Sequence, residues 1–476
     1  MTRINVQSIE SRPRKLRLLL AIACYGEKNV ELLKRVIHGY QRMAMDVDVV
    51  VVSDAPKALD PSVRVVVGLP SKNPWSLPFA HKKVLADGVD RYDLFVYSED
   101  DMEVTEANIQ AFLRATAELA PAEIAGFLRY EVNESGTRSL PDAHGGYHWR
   151  PESVKRRGSY TIAEFTNEHA GFYILTQTQL KKAIQSGGFL RAPYEGRYGM
   201  LETAATDPYT SCGFRKVICI SALEEFLIHH LSNRYAGQLG PPLLKFKQQV
   251  ETQLAIANGT HPATTLCRTE CDLLHGAWSK DYYEDPQAEV LSLIPETARE
   301  ILSVGCGWGA TEVRLKERGA AVTALPLDSI IGAEAERLGI EVTYGTLADC
   351  LRKMDGRTFD CVLVTNLLHL LPNPREVIEQ CSLLVSPGGT FVIAGSNFSL
   401  LRVLANRALG RGDYRKLGVS DEHGIHVLGP GSISRFLKES GLRVSVVRWF
   451  NQASGARIEG KLGRLRANNW IVQSQR

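Results

Sequence analysis

One stretch of this sequence places three glycines between an apolar run and a helical pattern. Residues 301–304 form the apolar run, and amphipathic spacing starts at Thr311. Between them, at intervals of two residues, stand Gly305, Gly307 and Gly309. Apolar runs of this kind favour a buried strand, and glycine permits positive φ and close approach of a ligand to the backbone. The pattern predicts a strand, a tight turn and a helix N-terminus at the carboxyl edge of a sheet, where open α/β folds bind ligands.

A second stretch brings three carboxylates together. Glu99, Asp100 and Asp101 follow the apolar, strand-like residues 94–97. Consecutive carboxylates repel one another, which costs stability unless a cation neutralises them. Mg²⁺ and Mn²⁺ prefer such oxygen ligands and can bridge them to a diphosphate. A helical pattern follows at 105–119, so the acids can equally be interpreted as the favoured residues of a helix N-terminus.

Strand and helix patterns alternate around the acidic stretch. Strands are predicted at residues 16–24, 47–52, 63–67, 94–97 and 167–175, and helices at 30–43, 105–119 and 223–234. The uninterrupted apolar run at 47–52 is typical of a strand in a sheet that is covered on both faces. The β-α-β-β order at the start of the chain predicts an α/β fold.

The glycine stretch is likewise followed by strand patterns. Strands are predicted at 321–325, 342–345, 359–366 and 390–394, then a hairpin of 443–450 with 469–473. Helices are predicted at 432–439 and, as an insertion, within 397–415. Between the two halves the composition changes at residues 236–265, which hold a predicted helix at 243–256.

Length and composition restrict the class of protein. At 476 residues the chain is expected to hold two or three domains, and 44% apolar and 23% charged residues are typical of globular proteins. A net charge of +3 gives no reason to expect a nucleic-acid partner. The nine scattered cysteines are expected to be reduced thiols in a cytoplasmic protein. Every apolar run falls short of the ~20 residues that span a bilayer.

Three motifs of the second half resemble those of class I S-adenosylmethionine (SAM)-dependent methyltransferases. In the family's order, they are VGCGWG, FDCVLVTNLLHLLPNP and LLVSPGGTFVIAG. The resemblance implies a Rossmann-like, seven-stranded fold over residues 276–476, a lead-in helix at 277–295, and SAM as the cofactor. The cofactor-binding residues that it implies are Gly305, Cys306, Gly307, Gly309, Asp328, Asn366 and Leu367.

The end of the second strand in this half departs from the family pattern. The family usually has an acidic residue there, which holds the ribose hydroxyls, but Pro326 stands at the aligned position and Asp328 lies two residues further on. Either the loop is re-routed so that Asp328 binds the ribose, or the ribose contact differs. Asp328 can equally be interpreted as the N-cap of the helix that follows.

The acidic stretch of the first half resembles the metal-binding motif of GT-A glycosyltransferases, and FVYSEDDMEV is similar to that of the N-acetylglucosaminyltransferase I-like group. The likeness covers residues 16–235 and implies that Asp101 ligates Mn²⁺ or Mg²⁺ on a nucleotide-sugar diphosphate. The residues that it places at the nucleotide sugar are Ala23, Tyr25, Asp54, Lys82, Glu99 and Asp100. Lys82 can also be interpreted as part of a solvated helix face.

The same likeness suggests further residues for sugar transfer. Residues 199–207 lie where the family often has a catalytic carboxylate, so Glu202, and after it Asp207, are candidates for the base that deprotonates an acceptor hydroxyl. Both can equally be surface acids that open a helix. His229, or alternatively His230, in the predicted helix at 223–234, is a candidate for a late metal ligand, with packing or solvation as the other interpretation; His229 is the one predicted here.

Methyl transfer to an oxygen nucleophile also needs a proton acceptor. His369 follows the fourth strand of the second half, where it is expected to face the reaction centre. His423 and His426 belong to a polar segment, DEHGIH, which related methyltransferases often place near the acceptor. The three histidines share the base hypothesis, and packing at a helix start is an equal alternative for His369.

The sequence thus predicts a two-domain α/β enzyme: a GT-A-like domain at 14–235, a connector at 236–275 and a class I methyltransferase domain at 276–476. The predicted function is bifunctional, with sugar transfer from a nucleotide-sugar donor and methylation of a sugar hydroxyl. The alternative is a methyltransferase whose first half only docks a glycan or a nucleotide. The expected partners are a glycan or glycolipid acceptor and, peripherally, a membrane-bound glycan assembly.

Overall fold

A computed structural model describes residues 15–271, 273, 278–410, 414, 417, 425–451, 456–458 and 463–476. The strands of the first half are β1 (Arg17–Cys24), β2 (Asp46–Ser53), β3 (Arg64–Val67), β4 (Leu94–Glu99), β5 (Met102–Glu103), β6 (Glu123–Ala125), β7 (Leu128–Val132), β8 (Arg138–Ser139), β9 (Lys155–Arg157), β10 (Tyr160–Ala163), β11 (Phe172–Thr176), β12 (Arg215–Cys219) and β13 (Leu227–His230). Its helices are α1 (Val30–Gln41), α2 (Ala80–Asp87), α3 (Glu106–Thr116), α4 (Gln177–Gln185) and α5 (Met200–Thr210), with 3₁₀ turns at Pro74–Phe79, Pro151–Ser153 and Ile220–Phe226. Helix α6 (Leu243–Ala257) follows in the predicted connector.

The largest sheet of the first half has five strands in the order β11-β4-β1-β2-β3. Strands β1 to β4 run parallel to one another. The edge strand β11 pairs antiparallel with β4. Residues 18–24 of β1 are all buried, as expected for an apolar strand covered on both faces. Two smaller four-stranded sheets, β6-β12-β10-β9 and β5-β13-β7-β8, complete this half.

The second half is built on one eight-stranded sheet. Its strands are β14 (Glu300–Cys306), β15 (Ala321–Pro326), β16 (Glu341–Val342), β17 (Phe359–Thr365), β18 (Val385–Ser396), β19 (Arg443–Asn451), β20 (Ala456–Arg457) and β21 (Asn469–Gln475). Its helices are α7 (Ala288–Leu291), α8 (Ala310–Glu317), α9 (Ser329–Arg337), α10 (Leu347–Lys353), α11 (Pro374–Leu383), α12 (Leu401–Ala408), α13 (Pro430–Glu439) and α14 (Gly463–Arg466), with a 3₁₀ turn at Leu368–Leu370. The strand order is β16-β15-β14-β17-β18-β21-β19-β20.

The pairing of this second sheet is that of a Rossmann-like fold, as the sequence predicts. Strands β14 to β18 are parallel, β21 is antiparallel to β18, and β19 pairs antiparallel with β21. The predicted terminal hairpin is therefore confirmed. The predicted count of seven strands is short by one, because the two-residue strand β20 adds an edge beyond β19.

Two predicted helices are wrong. Residues 223–234 form the end of a 3₁₀ turn and then strand β13, because Leu227–His230 pairs with β5 and β7 instead of packing as a helix. In the predicted lead-in helix at 277–295, the only helix among the described residues is the four-residue α7. Before α7, the Tyr282 N–H donates to the Gly145 carbonyl at 2.8 Å, and the Tyr282 carbonyl accepts from the Trp308 N–H at 3.1 Å.

The connector helix α6 packs against α9 of the second half, and α9 also reaches the core of the first half. The Nζ of Lys245 lies 3.5 Å from the Glu334 carboxylate, and the Arg337 guanidinium donates to the Gln248 carbonyl at 3.0 Å. Ile330 of α9 belongs to the same buried cluster as Trp149 of the first half. Among the helices that the structure describes, none combines the length and the apolar character that crossing a membrane requires.

Candidate functional site

The glycine loop of the second half has the conformation that the sequence predicts. Gly305 and Gly309 have φ values of +83° and +88°, which L side chains rarely adopt. A Cβ on Gly305 would lie 2.7 Å from Cδ2 of Leu367, and one on Gly307 would lie 2.5 Å from the Tyr282 carbonyl oxygen. Close approach of other parts of the chain therefore requires glycine at these two positions.

The loop borders an open volume of about 280 Å³ with a polar lining. The polar side chains around it include Glu284, Gln287, Thr311, Glu312 and Thr365. Two of them are carboxylates, which suits a cationic group such as the ammonium of an amino acid. Burial raises the pKa of Glu284, although the Lys280 ammonium pairs with it and opposes that shift.

Asp328 caps helix α9. Its Oδ1 accepts hydrogen bonds at 2.8 Å from the backbone N–H groups of Ile330 and Ile331. The carboxyl is almost fully buried, and this burial raises its pKa from 3.8 to about 7. The N-cap interpretation therefore describes its position, and the side chain is already committed to the helix.

The raised pKa of Asp328 predicts a pH-dependent stability. Because the folded-state pKa lies above the unfolded one, the protonated carboxyl stabilises the fold fully below about pH 4, and this contribution is lost as the pH rises through about 7. We expect Asp328→Asn to remove about 4 kcal/mol of pH dependence from the free energy of unfolding, because the two pKa values differ by about three units. Urea unfolding between pH 4 and 8 measures this. Asp349→Asn, an exposed acid near the start of α10, is the control, and equal slopes for the two variants would contradict the prediction.

His369 packs beside Ser396, Phe398 and Trp470, and the space between these residues is too small for a water molecule. Its Nε2 donates to the Trp278 carbonyl at 2.8 Å, so the free lone pair is on Nδ1. Burial lowers the pKa of His369 to about 4, which keeps the ring neutral but makes it a weak base at neutral pH.

His426 is brought next to His369, as expected if both line an acceptor site. The His426 backbone N–H donates to the His369 carbonyl at 2.8 Å, and its ring Nε2 donates to the Pro372 carbonyl at 3.0 Å. His423 lies outside the described residues.

Asn366 and Leu367 are two of the predicted cofactor contacts. Asn366 has a positive φ of +49°, a conformation that non-glycine residues adopt mainly at sites under functional or structural constraint.

In the first half, Asp101 is paired with His230, whereas the predicted metal ligand was its neighbour His229. Nε2 of His230 lies 3.0 Å from Oδ2 of Asp101, and its Nδ1 lies 2.5 Å from Glu131. The two carboxylates raise the pKa of His230 to about 9, so the ring is cationic at neutral pH. His229, the predicted metal ligand, points to the other face of β13 and stacks on Tyr130, with ring centroids 4.9 Å apart.

The remaining acids of the stretch have separate partners. Oδ1 of Asp100 accepts from Asn29 at 2.8 Å, and burial raises the pKa of this carboxyl to about 6. Glu99 faces His169 at 3.4 Å, and its Oε1 is buried without a hydrogen-bond partner. Within the described ranges, no three His, Cys, Asp or Glu side chains converge as a metal ion requires, so the predicted metal site is not shown.

Two predicted site residues of the first half pair with each other. The Lys82 ammonium donates to the Asp207 carboxylate, and both side chains are buried, at 2% and 0% exposure. Tyr194 also donates to Asp207 at 2.5 Å. Lys82 is therefore not on a solvated face, and Asp207 has no open side toward an acceptor. Of the two candidate bases, only Glu202, in the first turn of α5, is half-exposed.

The predicted nucleoside contacts lie at the carboxyl ends of β1 and β2. Tyr25 is exposed, and Asp54 accepts from the Gly26 backbone N–H at 2.9 Å. Sequence reasoning missed Lys57, whose buried Nζ donates to the Gly26 carbonyl at 2.5 Å and lies 3.9 Å from Asp54. Its position three residues after Asp54, in the loop that leaves β2, was the available signal.

Comparison with known proteins gives a family match in the second half of the chain. A family model described as "Methyltransferase domain" matches residues 302–393. The chain is 30% identical over 196 residues to the ubiquinone biosynthesis O-methyltransferase of Azotobacter vinelandii, covering 36% of this chain and 80% of that protein. It is 34% identical over 131 residues to the protein of the same name from Chromobacterium violaceum, covering 25% of this chain and 56% of that protein. The chain thus spans most of the first relative and a little over half of the second.

Solved structures also match. An S-adenosylmethionine-dependent methyltransferase from Mesorhizobium loti is 20% identical, with a TM-score of 0.30, over 40% of this chain and 96% of that one. The N-methyltransferase NodS from Bradyrhizobium japonicum, solved with S-adenosylhomocysteine, is 17% identical, with a TM-score of 0.28, over 40% of this chain and 89% of that one.

Proposed function

We propose that this chain, which belongs to the class I SAM-dependent methyltransferases through its C-terminal domain, methylates an oxygen atom, and specifically a sugar hydroxyl. The observation that carries the oxygen assignment is the 30% identity, over 196 residues, to a protein named as an O-methyltransferase. The glycine loop at the carboxyl edge of the second sheet supports the cofactor assignment.

The described residues suggest how the second half would act. SAM supplies an electrophilic methyl group, so the protein's task is to position the two reactants and to exclude water. As the C–O bond forms and the C–S bond breaks, the hydroxyl proton must pass to a base. His369 is the candidate, because its Nε2 bond to the Trp278 carbonyl leaves the lone pair of the neutral ring on Nδ1, and its ring lies beside Ser396 and Trp470 after the predicted cofactor contacts.

The whole chain with isotope-labelled SAM tests this function. We expect methyl transfer to sugar hydroxyls and none to amines, and we expect His369→Asn to lower kcat by about 100-fold, within the range of general-base effects. Product mass spectrometry locates the methyl group, and calorimetry checks that S-adenosylhomocysteine binding is unchanged. His261→Asn is a matched control, since His261 also bonds a backbone carbonyl, that of Ser329, at 2.9 Å. Methylation of amines alone would overturn the proposal.

For the first half we propose sugar transfer from a nucleotide-sugar donor. Support comes from the single edge at which the chemistry-bearing residues meet: Tyr25 after β1, Asp54 after β2 and the acids after β4 all lie at carboxyl ends of parallel strands. The Oε1 of Glu99, at the end of β4, is buried, with the ring of His169 3.4 Å from it. The rival proposal, a domain that only docks a nucleotide or a glycan, uses the same edge without turnover.

A thermal-shift panel on the whole chain separates the two. UDP, GDP, CDP and dTDP are compared, each with and without Mn²⁺, because a ligand that binds the native state raises its Tm. Sugar transfer predicts that Mn²⁺ increases the Tm rise for one nucleotide by several degrees, and that Asp101→Asn abolishes the increase. Asp90→Asn, an exposed acid paired with Lys181, is the control. A nucleotide response that ignores both Mn²⁺ and Asp101 would favour docking.

The cellular setting follows from the substrates. We place this chemistry in the cytoplasm, next to a membrane-bound glycan assembly that presents a glycan or glycolipid acceptor. The nine cysteines, of which the structure joins none in a disulfide among its described residues, suit a reducing compartment.

A further inference from the structure

Residues 264–271, called here the covering segment, cross the carboxyl edge of the second sheet. The backbone N–H of Leu266 donates to the Leu327 carbonyl at 2.9 Å, and the Leu347 N–H donates to the Leu266 carbonyl at 2.8 Å. Leu327 follows β15, and Leu347 follows β16. The covering segment therefore occupies one backbone group just after β15 and one at the first residue of α10, beside the edge where a ligand of this sheet would be expected to bind.

The side chains close the same edge. Leu266 is 3% exposed and belongs to one buried cluster with Leu327 and Leu367, the residues that face Gly305. On the other side of the loop, the Tyr282 carbonyl accepts from the Trp308 N–H at 3.1 Å. The space next to the glycine loop is thus filled by the chain itself, apart from the polar volume described above.

The arrangement fits only one part of SAM. The carboxylates of Glu284 and Glu312 beside the loop suit the ammonium of its amino-acid end. The adenosine end is larger and needs room for a purine and a ribose. Leu266 occupies the Leu327 carbonyl after β15 and the Leu347 N–H at the start of α10, and the Asp328 carboxylate accepts from the α9 backbone.

Residues of the first half hold the covering segment in place. Glu270 lies 3.1 Å from the Arg150 guanidinium and 3.9 Å from that of Arg197. Tyr282 donates to the Thr269 hydroxyl at 2.9 Å or accepts from it, and its ring stacks on His148 with centroids 4.1 Å apart and planes 3° apart. These contacts of Glu270 and Thr269, called here the clamp, hold the covering segment between the two halves.

We propose that the covering segment occupies the adenosine end of the cofactor site, that SAM binds only after this segment leaves, and that the first half sets how often it leaves. The inference rests on the proposed methyltransferase function. When the binding-competent form is a minor population, the apparent dissociation constant is the intrinsic one divided by that fraction. Weakening the clamp should therefore tighten cofactor binding, whereas weakening an ordinary structural contact should not.

Calorimetric titration of the whole chain with S-adenosylhomocysteine tests the clamp. Glu270→Gln removes the charge that pairs with Arg150 and Arg197, and we expect it to lower the apparent Kd about fivefold. Glu164→Gln is the matched control, because Glu164 also pairs with Arg150, is equally half-buried and does not belong to the covering segment. We expect the control to bind as the unsubstituted chain does.

Hydrogen exchange on the unsubstituted chain provides a test that needs no variant. If S-adenosylhomocysteine displaces the covering segment, the Leu266 and Leu347 amides lose their partners, and peptides that contain them exchange faster when the ligand is bound. Binding with unchanged or slower exchange there, together with equal Kd values for Glu270→Gln and the unsubstituted chain, would overturn the inference and leave the methyltransferase function intact. Failure of all variants to bind would instead overturn the proposed function, and the inference with it.

Discussion

Asp207→Ala is expected to destabilise the first half by about 3–5 kcal/mol, because it leaves the Lys82 ammonium buried without its counter-ion. Both side chains are almost fully excluded from water, and Lys82 also lies over the Phe79 ring, at 4.1 Å from its centroid. Burial already lowers the pKa of Lys82, and the Asp207 carboxylate opposes that shift. Urea unfolding followed by circular dichroism measures the loss.

Replacing both partners distinguishes an unpaired charge from lost packing. Lys82→Met combined with Asp207→Leu removes both charges and keeps apolar volume, so we expect it to be more stable than Asp207→Ala alone. Asp90→Ala breaks the exposed pair with Lys181 and should cost less than about 1 kcal/mol. If the double replacement were as unstable as Asp207→Ala, the unpaired-charge explanation would be wrong.

Gly305→Ala is expected to destabilise the second half by about 2–4 kcal/mol and to weaken S-adenosylhomocysteine binding tenfold or more. The positive φ of +83° costs an L residue about 1–2 kcal/mol, and the new Cβ, 2.7 Å from Leu367 Cδ2, adds overpacking. The Leu367 side chain would have to move, although it is fully buried. Urea unfolding and calorimetric titration give the two quantities.

Gly319→Ala separates the backbone cost from the packing cost. Gly319 has a similar φ of +89°, but a Cβ there meets no atom within 4 Å. The Gly319→Ala variant should therefore lose only the backbone contribution of about 1–2 kcal/mol and bind S-adenosylhomocysteine normally. Equal losses for Gly305→Ala and Gly319→Ala would show that Leu367 yields at little cost.

The parts of the fold that sequence predicted well are those with local signals. The apolar runs of β1, β2, β14 and β17 fall within one or two residues of the predicted strands, because a buried parallel strand has an uninterrupted apolar pattern. The glycine loop was predicted in the same way, since alternating glycines after such a strand specify a turn with positive φ.

The parts that sequence missed depend on contacts between distant residues. The stretch that contains His229 and His230 has an amphipathic composition that suits a helix, but pairing with β5 and β7 makes it a strand. Alternation along a strand then points neighbouring side chains to opposite faces, so His230 meets Asp101 and His229 does not. No local pattern could decide between the two histidines.

The buried pair of Lys82 and Asp207 was missed for a similar reason. The two residues are 125 positions apart, and each alone has the composition of a surface helix. The covering segment posed a further difficulty: as a connector it has no pattern of its own, and its position follows from hydrogen bonds to Leu327 and Leu347. Such assignments need the tertiary structure.

Arg197 of the first half contacts one carboxylate of its own half, Glu168, and one of the covering segment, Glu270. The Arg197 guanidinium lies 3.3 Å from the Glu168 carboxylate. His169, which follows Glu168 in the chain, faces Glu99 of the acidic stretch. A ligand of the first half that draws Arg197 toward Glu168 would loosen the hold on Glu270. Thermodynamic linkage then makes the effect reciprocal: by whatever factor that ligand strengthens cofactor binding, the cofactor strengthens the ligand's own. One guanidinium shared between two carboxylates would thus couple a ligand of the first half to the cofactor of the second.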